Sequence, residues 1–298
     1  MIALERATDE RLHVTWEERA LLDYVCDDRA PSSSFQRPYM HPIHSLAGDL
    51  ITDCCPVDHP WHKGVSMTFS VIDDQNFWGG PTYREGRYSQ LENVGTTRHD
   101  GWDRLDAQGT QAFIRQRLAW ISTQGETWLS EHRALDITVR QGVGWWMRWE
   151  MRFTNLCGRA LHFGSPATEG RAGAGYTGLF WRGSRAFQAG EAYLSDGRSG
   201  TADDMNGTRA RWLALKTGHP ENARQTTLIF ADSSTPQPNG VRWFARGREY
   251  SGVAFAFAFD SVVTLQPAEQ LALTHTIAIM NDALDSAAIE RWAASAGV

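Results

Sequence analysis

The sequence predicts an all-β chain: a large antiparallel β-sandwich with one short C-terminal helix. Three observations carry that prediction. Apolar and polar residues alternate with period 2 from one end of the chain to the other, as half-buried strands require. Turn punctuation recurs at roughly the spacing of a sandwich, at Gly109, Gly125, QGVG, NLCGR, PQPNG and ARGRE. Only one segment, ALDSAAIERWAASAG near the C-terminus, repeats its apolar residues at helical spacing.

Taken in order, Leu12, Val14 and Trp16 alternate along a first strand. Trp145, Met147, Trp149, Met151 and Phe153 share one strand face, and Trp146, Arg148, Glu150 and Arg152 share the other, which is polar enough to be functional. Val253, Phe255, Phe257 and Phe259 form one apolar row and Leu271, Leu273, Ile277 and Ile279 another, with QPAEQ between them; together they read as a core hairpin. The helix has an Asp and Ser start and sets Ala288, Ile289, Trp292 and Ala293 on one face, which should dock on a sheet. No Ser- or Pro-rich linker and no fixed-period repeat divides the 298 residues, so residues 1–298 are expected to be one domain.

Composition removes several classes of function. A formal charge of −6, with no run of Lys or Arg longer than two, offers nothing to phosphate backbones or anionic lipid, so nucleic acid and membranes are not expected partners. No apolar stretch reaches the roughly 20 residues that span a bilayer, and MIALERATDERLHV lacks the build of a signal peptide; the expected compartment is the cytoplasm. Cys26, Cys54, Cys55 and Cys157 include an adjacent pair, an awkward start for a disulfide framework, so reduced thiols with apolar packing are expected. The 13 Trp supply core volume first, leaving a few flat surfaces on which sugar rings can stack.

The strongest local signal is histidine. Four of the ten histidines, His41, His44, His59 and His62, lie in HPIH and DHPWH, each pair flanking a proline in a loop stiff enough to fix imidazoles. Asp58 can orient a ring nitrogen, and Lys63 adds positive charge. Three readings stay open: general acid/base work on a polyhydroxylated substrate, ligation of a divalent metal by His41, His44, His59 and His62, or structural hydrogen bonding to loop backbone. The first requires no cofactor.

A second segment, SPATEGRAGAGYTGLFWRGSR, gathers Glu169, Arg171, Tyr176, Trp181 and Arg182 among glycines. No helix pattern follows GRAGAG, so a ligand-facing loop is expected rather than a nucleotide loop. His275 falls in the apolar register of LALTHTIAIM and reads as a core histidine. Glu131 and His132 face opposite sides of a strand, so only one of them can line a given cleft.

RPYMHPIHS, DHPWHKG, FWGG and SPATEGRAGAGYTGLFWRG together resemble a bacterial family labelled PmoA-like, or "methane oxygenase PmoA", across most of the chain. That family is similar to the galactose-mutarotase-like β-supersandwich, whose clefts commonly bind carbohydrates. The methane label implies a membrane copper enzyme, which a chain without a span does not fit. The resemblance implies a sugar or oxidised glycoside as substrate, with a histidine acid and a glutamate base. The residues carried over are only His59 and His62 as acid candidates and Glu169 as base. Beside them Arg37, His41, His44, Lys63, His132, Arg171, Tyr176 and Arg182 are expected to bind substrate, with Trp78 or Trp181 stacking. The expected function is proton-transfer chemistry on a sugar or keto-sugar, of the mutarotase, epimerase, lyase or glycoside hydrolase type. The alternatives are a metal-dependent hydrolase or lyase and a non-catalytic sugar-binding protein. A homo-oligomer is compatible with everything above.

Overall fold

In the computed structural model, residues 1–29, 31, 35–219, 224–234 and 241–298 are described. Among them the period-2 segments become two large antiparallel sheets, one of 11 strands and one of nine. The first runs Ile2–Thr8, Arg11–Trp16, Arg19–Val25, Tyr39–Ile43, Val65–Ile72, Gly178–Arg182, Gly252–Ala256, Arg242–Arg246, with Gln75–Phe77, Leu161–Gly164 and Val263–Leu265 off that path. The second runs Ser199–Gly200, Glu191–Leu194, Trp212–His219, Arg224–Asp232, Gln270–Met280, Gly144–Asn155, Thr127–Arg140, Gln111–Ile121, Thr96–Gln108. No helix among the described residues is long and apolar enough to cross a membrane.

One hydrophobic cluster takes side chains from both sheets, from Ile2 to Ile279. Phe69 of the first sheet meets Trp120 and Phe153 of the second with ring centroids 4.7 and 5.2 Å apart, and Trp181 meets Phe230 at 5.3 Å. Each such ring contributes about 1.5–3 kcal/mol by burial. As alternation requires, Trp145, Met147, Trp149, Met151 and Phe153 all point into this cluster. Ten of the 13 Trp are buried, which leaves Trp61, Trp102 and Trp146 with substantial surface.

The two apolar rows read as a hairpin are not one. Gly252–Ala256 pairs with Gly178–Arg182 and Arg242–Arg246 in the first sheet, while Gln270–Met280 pairs with Gly144–Asn155 and Arg224–Asp232 in the second. They meet across the sandwich instead: the buried His275 ring stacks on Phe255 at 4.1 Å, with its Nδ1 3.0 Å from Asp232 Oδ1. The core reading of His275 therefore holds. The turn expected at PQPNG falls on residues 236–240, outside the described residues.

The terminal helix, Ser286–Ala296, forms for local reasons. Asp285 caps it by accepting the Ala288 N–H at 2.7 Å, and Gly297 ends it in the left-handed conformation at φ 70°. Its buried Ile289, Trp292 and Ala293 pack on Trp212, Ile229, Ala278 and Met280, the outer face of the nine-stranded sheet. All four cysteines are free, but Cys54 is half-buried and Cys55 exposed, so only Cys26 is buried as expected.

Candidate active site

The outer face of the 11-stranded sheet is covered by loops, and the site lies between the two. Along Gly178–Arg182 the sandwich core receives Leu179 and Trp181, so Phe180 and Arg182 must point outward. Phe180, Phe244, Ala254 and Ala256 form an outer apolar floor with Trp78 and Phe259, against which Trp61, Tyr176 and Tyr250 pack. Above this floor opens a cavity of about 280 Å³, walled by Trp61, Trp78, Tyr88, Tyr176, Phe244 and Tyr250. Its polar lining is His59, His62, Arg171, Arg246 and Glu249.

Local sequence builds each wall. Cys54 bridges Lys63, Cys55 (φ 57°) donates its N–H to His62 O at 2.7 Å, His59 N–H reaches Pro56 O at 3.0 Å and His62 N–H reaches His59 O at 2.9 Å. DHPWH is thus a closed turn that delivers His59, Trp61 and His62 together. Asn76 Oδ1 accepts the N–H groups of Trp78 and Gly79 at 2.8 and 2.9 Å and so turns FWGG toward the cavity. A Cβ on Gly80, at φ +65°, would lie 2.5 Å from the Trp61 ring, which is why glycine stands there. Arg37 ties the two walls together, donating from Nη2 to Trp61 O at 2.7 Å and from Nη1 to Trp78 O at 3.5 Å.

The two imidazoles differ electrostatically. His59 Nδ1 sits 2.8 Å from Asp58 Oδ2, and that hydrogen bond holds the Asp58 carboxyl below its usual range. His62 lies 4.8 Å away, ring to ring, and is almost wholly buried. Arg182 Nη1 is 3.2 Å from His62 Nδ1; a guanidinium only donates, so Nδ1 is the acceptor and Nε2 carries the ring proton. Burial first, then the Arg182 charge, pushes the His62 pKa well below the usual imidazole value. His62 is a neutral Nε2–H donor.

This shift has a consequence for stability. Between the depressed native pKa and about 6.5 the unfolded chain binds a proton at position 62 that the folded chain does not, so stability rises with pH there and falls as acid is added. His41, His44 and His99, depressed mainly by burial, act in the same direction. Urea midpoints measured from pH 7.5 down to pH 5 should fall, and His62→Asn should flatten part of that slope; an unchanged slope would show that His62 is not held neutral.

Several residues expected at the site lie elsewhere. Trp181, 1% exposed, belongs to the sandwich core and cannot stack a ligand. Arg37 is buried and spends its donors on the loop backbone, Phe35 O and Ser66 Oγ. Lys63 is equally buried, paired with Asp28 and bonded to Phe35 O at 3.3 Å. His41 meets Thr52 Oγ1 at 2.9 Å and His44 forms an isolated bridge to Leu50; neither lines the cavity. Among the described residues no three His, Cys, Asp or Glu side chains come together as metal ligands. Glu169 is exposed and is not part of the lining, although Arg171 and Tyr176 of the same segment are. Arg182 stands behind His62.

His132 belongs to the other sheet and points outward, while Glu131 points into the core, as alternation requires. His132 borders a concavity of about 260 Å³ with no aromatic wall. Arg115–Asp136, Arg117–Asp103 and Arg148–Glu150 pair with one another across that face, so the polar rows of Gly144–Asn155 and its neighbours satisfy themselves. The aromatic cavity is the better site. Sequence reasoning missed Trp61, Tyr88, Phe244, Arg246, Glu249 and Tyr250; Trp61 stands inside DHPWH, and ARGRE was readable only as a turn.

The family described as "Family of unknown function (DUF6807)" matches residues 11–294. The PmoA-like label suggested by the histidine motifs finds no support in that match. No curated protein matches the chain. Among solved structures, galactose 1-epimerase from Lactobacillus acidophilus NCFM is similar at 8% identity over 95% of this chain and 99% of that one, with a TM-score of 0.44. The α-galactosidase from Lactobacillus brevis is similar at 10% identity over 95% of this chain and 39% of its own, with a TM-score of 0.39. The GH36 α-galactosidase AgaA from Geobacillus stearothermophilus is similar at 12% identity over 80% of this chain and 29% of its own, with a TM-score of 0.34. The chain thus spans well under half the length of either galactosidase.

Proposed function

We propose that this chain, which belongs to the family of unknown function DUF6807, binds a sugar or keto-sugar in the aromatic cavity and moves a proton on it. The observation that carries the reading is the meeting of two imidazoles with different partners beneath aromatic walls: His59 on Asp58, and His62 on Arg182, held neutral by burial first and then by that charge. Trp61 and Tyr250 offer faces to the apolar side of a sugar ring, and the cavity, at about 280 Å³, is of a size for one or two rings.

In this reading His59 donates Nδ1–H to Asp58, which leaves Nε2 to take a proton from a sugar hydroxyl or from a carbon beside a carbonyl. His62 gives a hydrogen bond from Nε2–H to the oxygen on which negative charge develops. Glu249 replaces Glu169 as the carboxylate that can face the ring, since it lines the cavity and Glu169 does not. Burial holds the phenol of Tyr250 protonated, at about 12, so it serves as a neutral hydroxyl. Mutarotation, epimerisation and elimination all need this pair of roles.

Ligand-observed NMR against a panel of monosaccharides, glycosides and 3-oxidised glycosides tests the reading by following binding and conversion together. At least one sugar should bind and be converted or exchange its anomers faster than in buffer. Trp61→Ala should weaken its binding about tenfold, or about 1.4 kcal/mol, by removing one stacking face. Failure of every sugar to bind would sink the reading; binding without conversion would leave a sugar-binding protein and remove the proton-transfer half.

A further inference from the structure

We infer that the cavity selects a sugar bearing an anionic substituent, a carboxylate or a phosphate, and that Arg171 and Arg246 receive it. The inference rests on the sugar reading above and deepens it. Both residues line the cavity. Arg246 donates from Nη2 to Gly173 O at 3.0 Å and from Nη1 to Ala245 O at 3.0 Å, and lies 4.7 Å over the Phe244 ring. Arg171 donates to the Tyr88 hydroxyl and lies 4.7 Å over that ring. Because Arg171 and Gly173 share one turn, closed by Ala174 N–H to Arg171 O at 3.1 Å, the Arg246 bond to Gly173 brings both cations to one rim.

Their partners set them apart from the arginines committed to carboxylates. Arg115, Arg117, Arg133 and Arg148 each hold a carboxylate. Among the described residues neither Arg171 nor Arg246 has an ion pair; each is oriented by a neutral oxygen and an aromatic face. A guanidinium carries five N–H donors, so donors remain on both. Glu249 is the one carboxylate in the lining, and it is exposed. Two pre-oriented cations against one solvated anion favour a planar or tetrahedral oxyanion, which arginine binds through paired hydrogen bonds.

Calorimetric titration with glucuronate, galacturonate, glucose, galactose and glucose 6-phosphate tests this. A charged sugar should bind at least about tenfold more tightly than its neutral parent, and the advantage should shrink between low and high salt. Preference for a uronate identifies the carboxylate as the source of the anion, and preference for glucose 6-phosphate identifies phosphate. Arg171→Gln, at an exposed position, should remove about tenfold of the charged sugar's affinity and cost the neutral one markedly less; Arg246→Gln should do the same, with Arg246→Lys retaining part of it. Equal binding of charged and neutral sugars, or a preference intact in both Gln variants, overturns the inference while leaving the sugar reading standing. No binding by any of the five overturns the inference, and the sugar reading falls with it only if the glycosides and 3-oxidised glycosides also fail to bind.

Discussion

Glu131→Ala should cost about 3–5 kcal/mol of folding stability, the cost of leaving one partner of a buried ion pair charged and alone. Glu131 and Arg133 are 0% and 1% exposed, joined by Nε to Oε1 at 2.6 Å and Nη2 to Oε2 at 2.9 Å. Trp120 Nε1 also donates to Glu131 at 2.8 Å, so its donor would be orphaned too. Arg133 in turn donates to the Tyr24 hydroxyl at 3.0 Å, and that hydroxyl is bonded to Gln116. Tyr24 belongs to the 11-stranded sheet and the others to the nine-stranded one, so the network joins the two layers through the core. Urea unfolding should show a lowered midpoint for the single variant. The double change Glu131→Leu with Arg133→Met should recover most of the loss, because it removes both charges. A single-variant cost below about 1 kcal/mol would mean that water or rearrangement already compensates Arg133.

Glu131 illustrates what the sequence could show. Period 2 placed it and His132 on opposite faces, and it sorted the residues from Trp145 to Phe153 correctly, because one face of that strand is core and the other is not. It could not name partners: the rows of Gly252–Ala256 and Gln270–Met280 are equally apolar whether they pair in one sheet or face each other across two. In Gly178–Arg182 all five residues are buried, since loops cover the outer face, and no alternation remained to tell the core Trp181 from the outward Phe180. Arg37 and Lys63 read as substrate-binding cations because their actual partners, Asp28 and distant backbone carbonyls, are set by tertiary structure. His59 and His62 came together as expected because one short turn holds both, whereas His41 and His44 are held by a strand and a bridge that carry them elsewhere.

His59→Ala should lower turnover of an identified sugar substrate by about 10²–10⁴-fold, the range for loss of a general acid or base, while leaving its affinity within about threefold. The separation of the two effects follows from the geometry. In the proposed reading, binding area comes from Trp61, Trp78 and the tyrosines, which the substitution leaves in place, whereas the Asp58–His59 pair would supply the proton-accepting nitrogen. Asp58→Asn should cost less, about ten- to a hundredfold, because the imidazole remains but loses the partner that fixes its tautomer. His62→Asn should also lower turnover, since it removes the Nε2–H donor, but should leave the shape of the pH dependence of kcat unaltered, because burial and then the Arg182 charge hold His62 neutral. Pre-steady-state turnover measured beside equilibrium binding separates these cases. Turnover within threefold of the unsubstituted protein in His59→Ala would remove the proton-transfer role from this residue and pass it to Glu249, the one carboxylate that lines the same cavity.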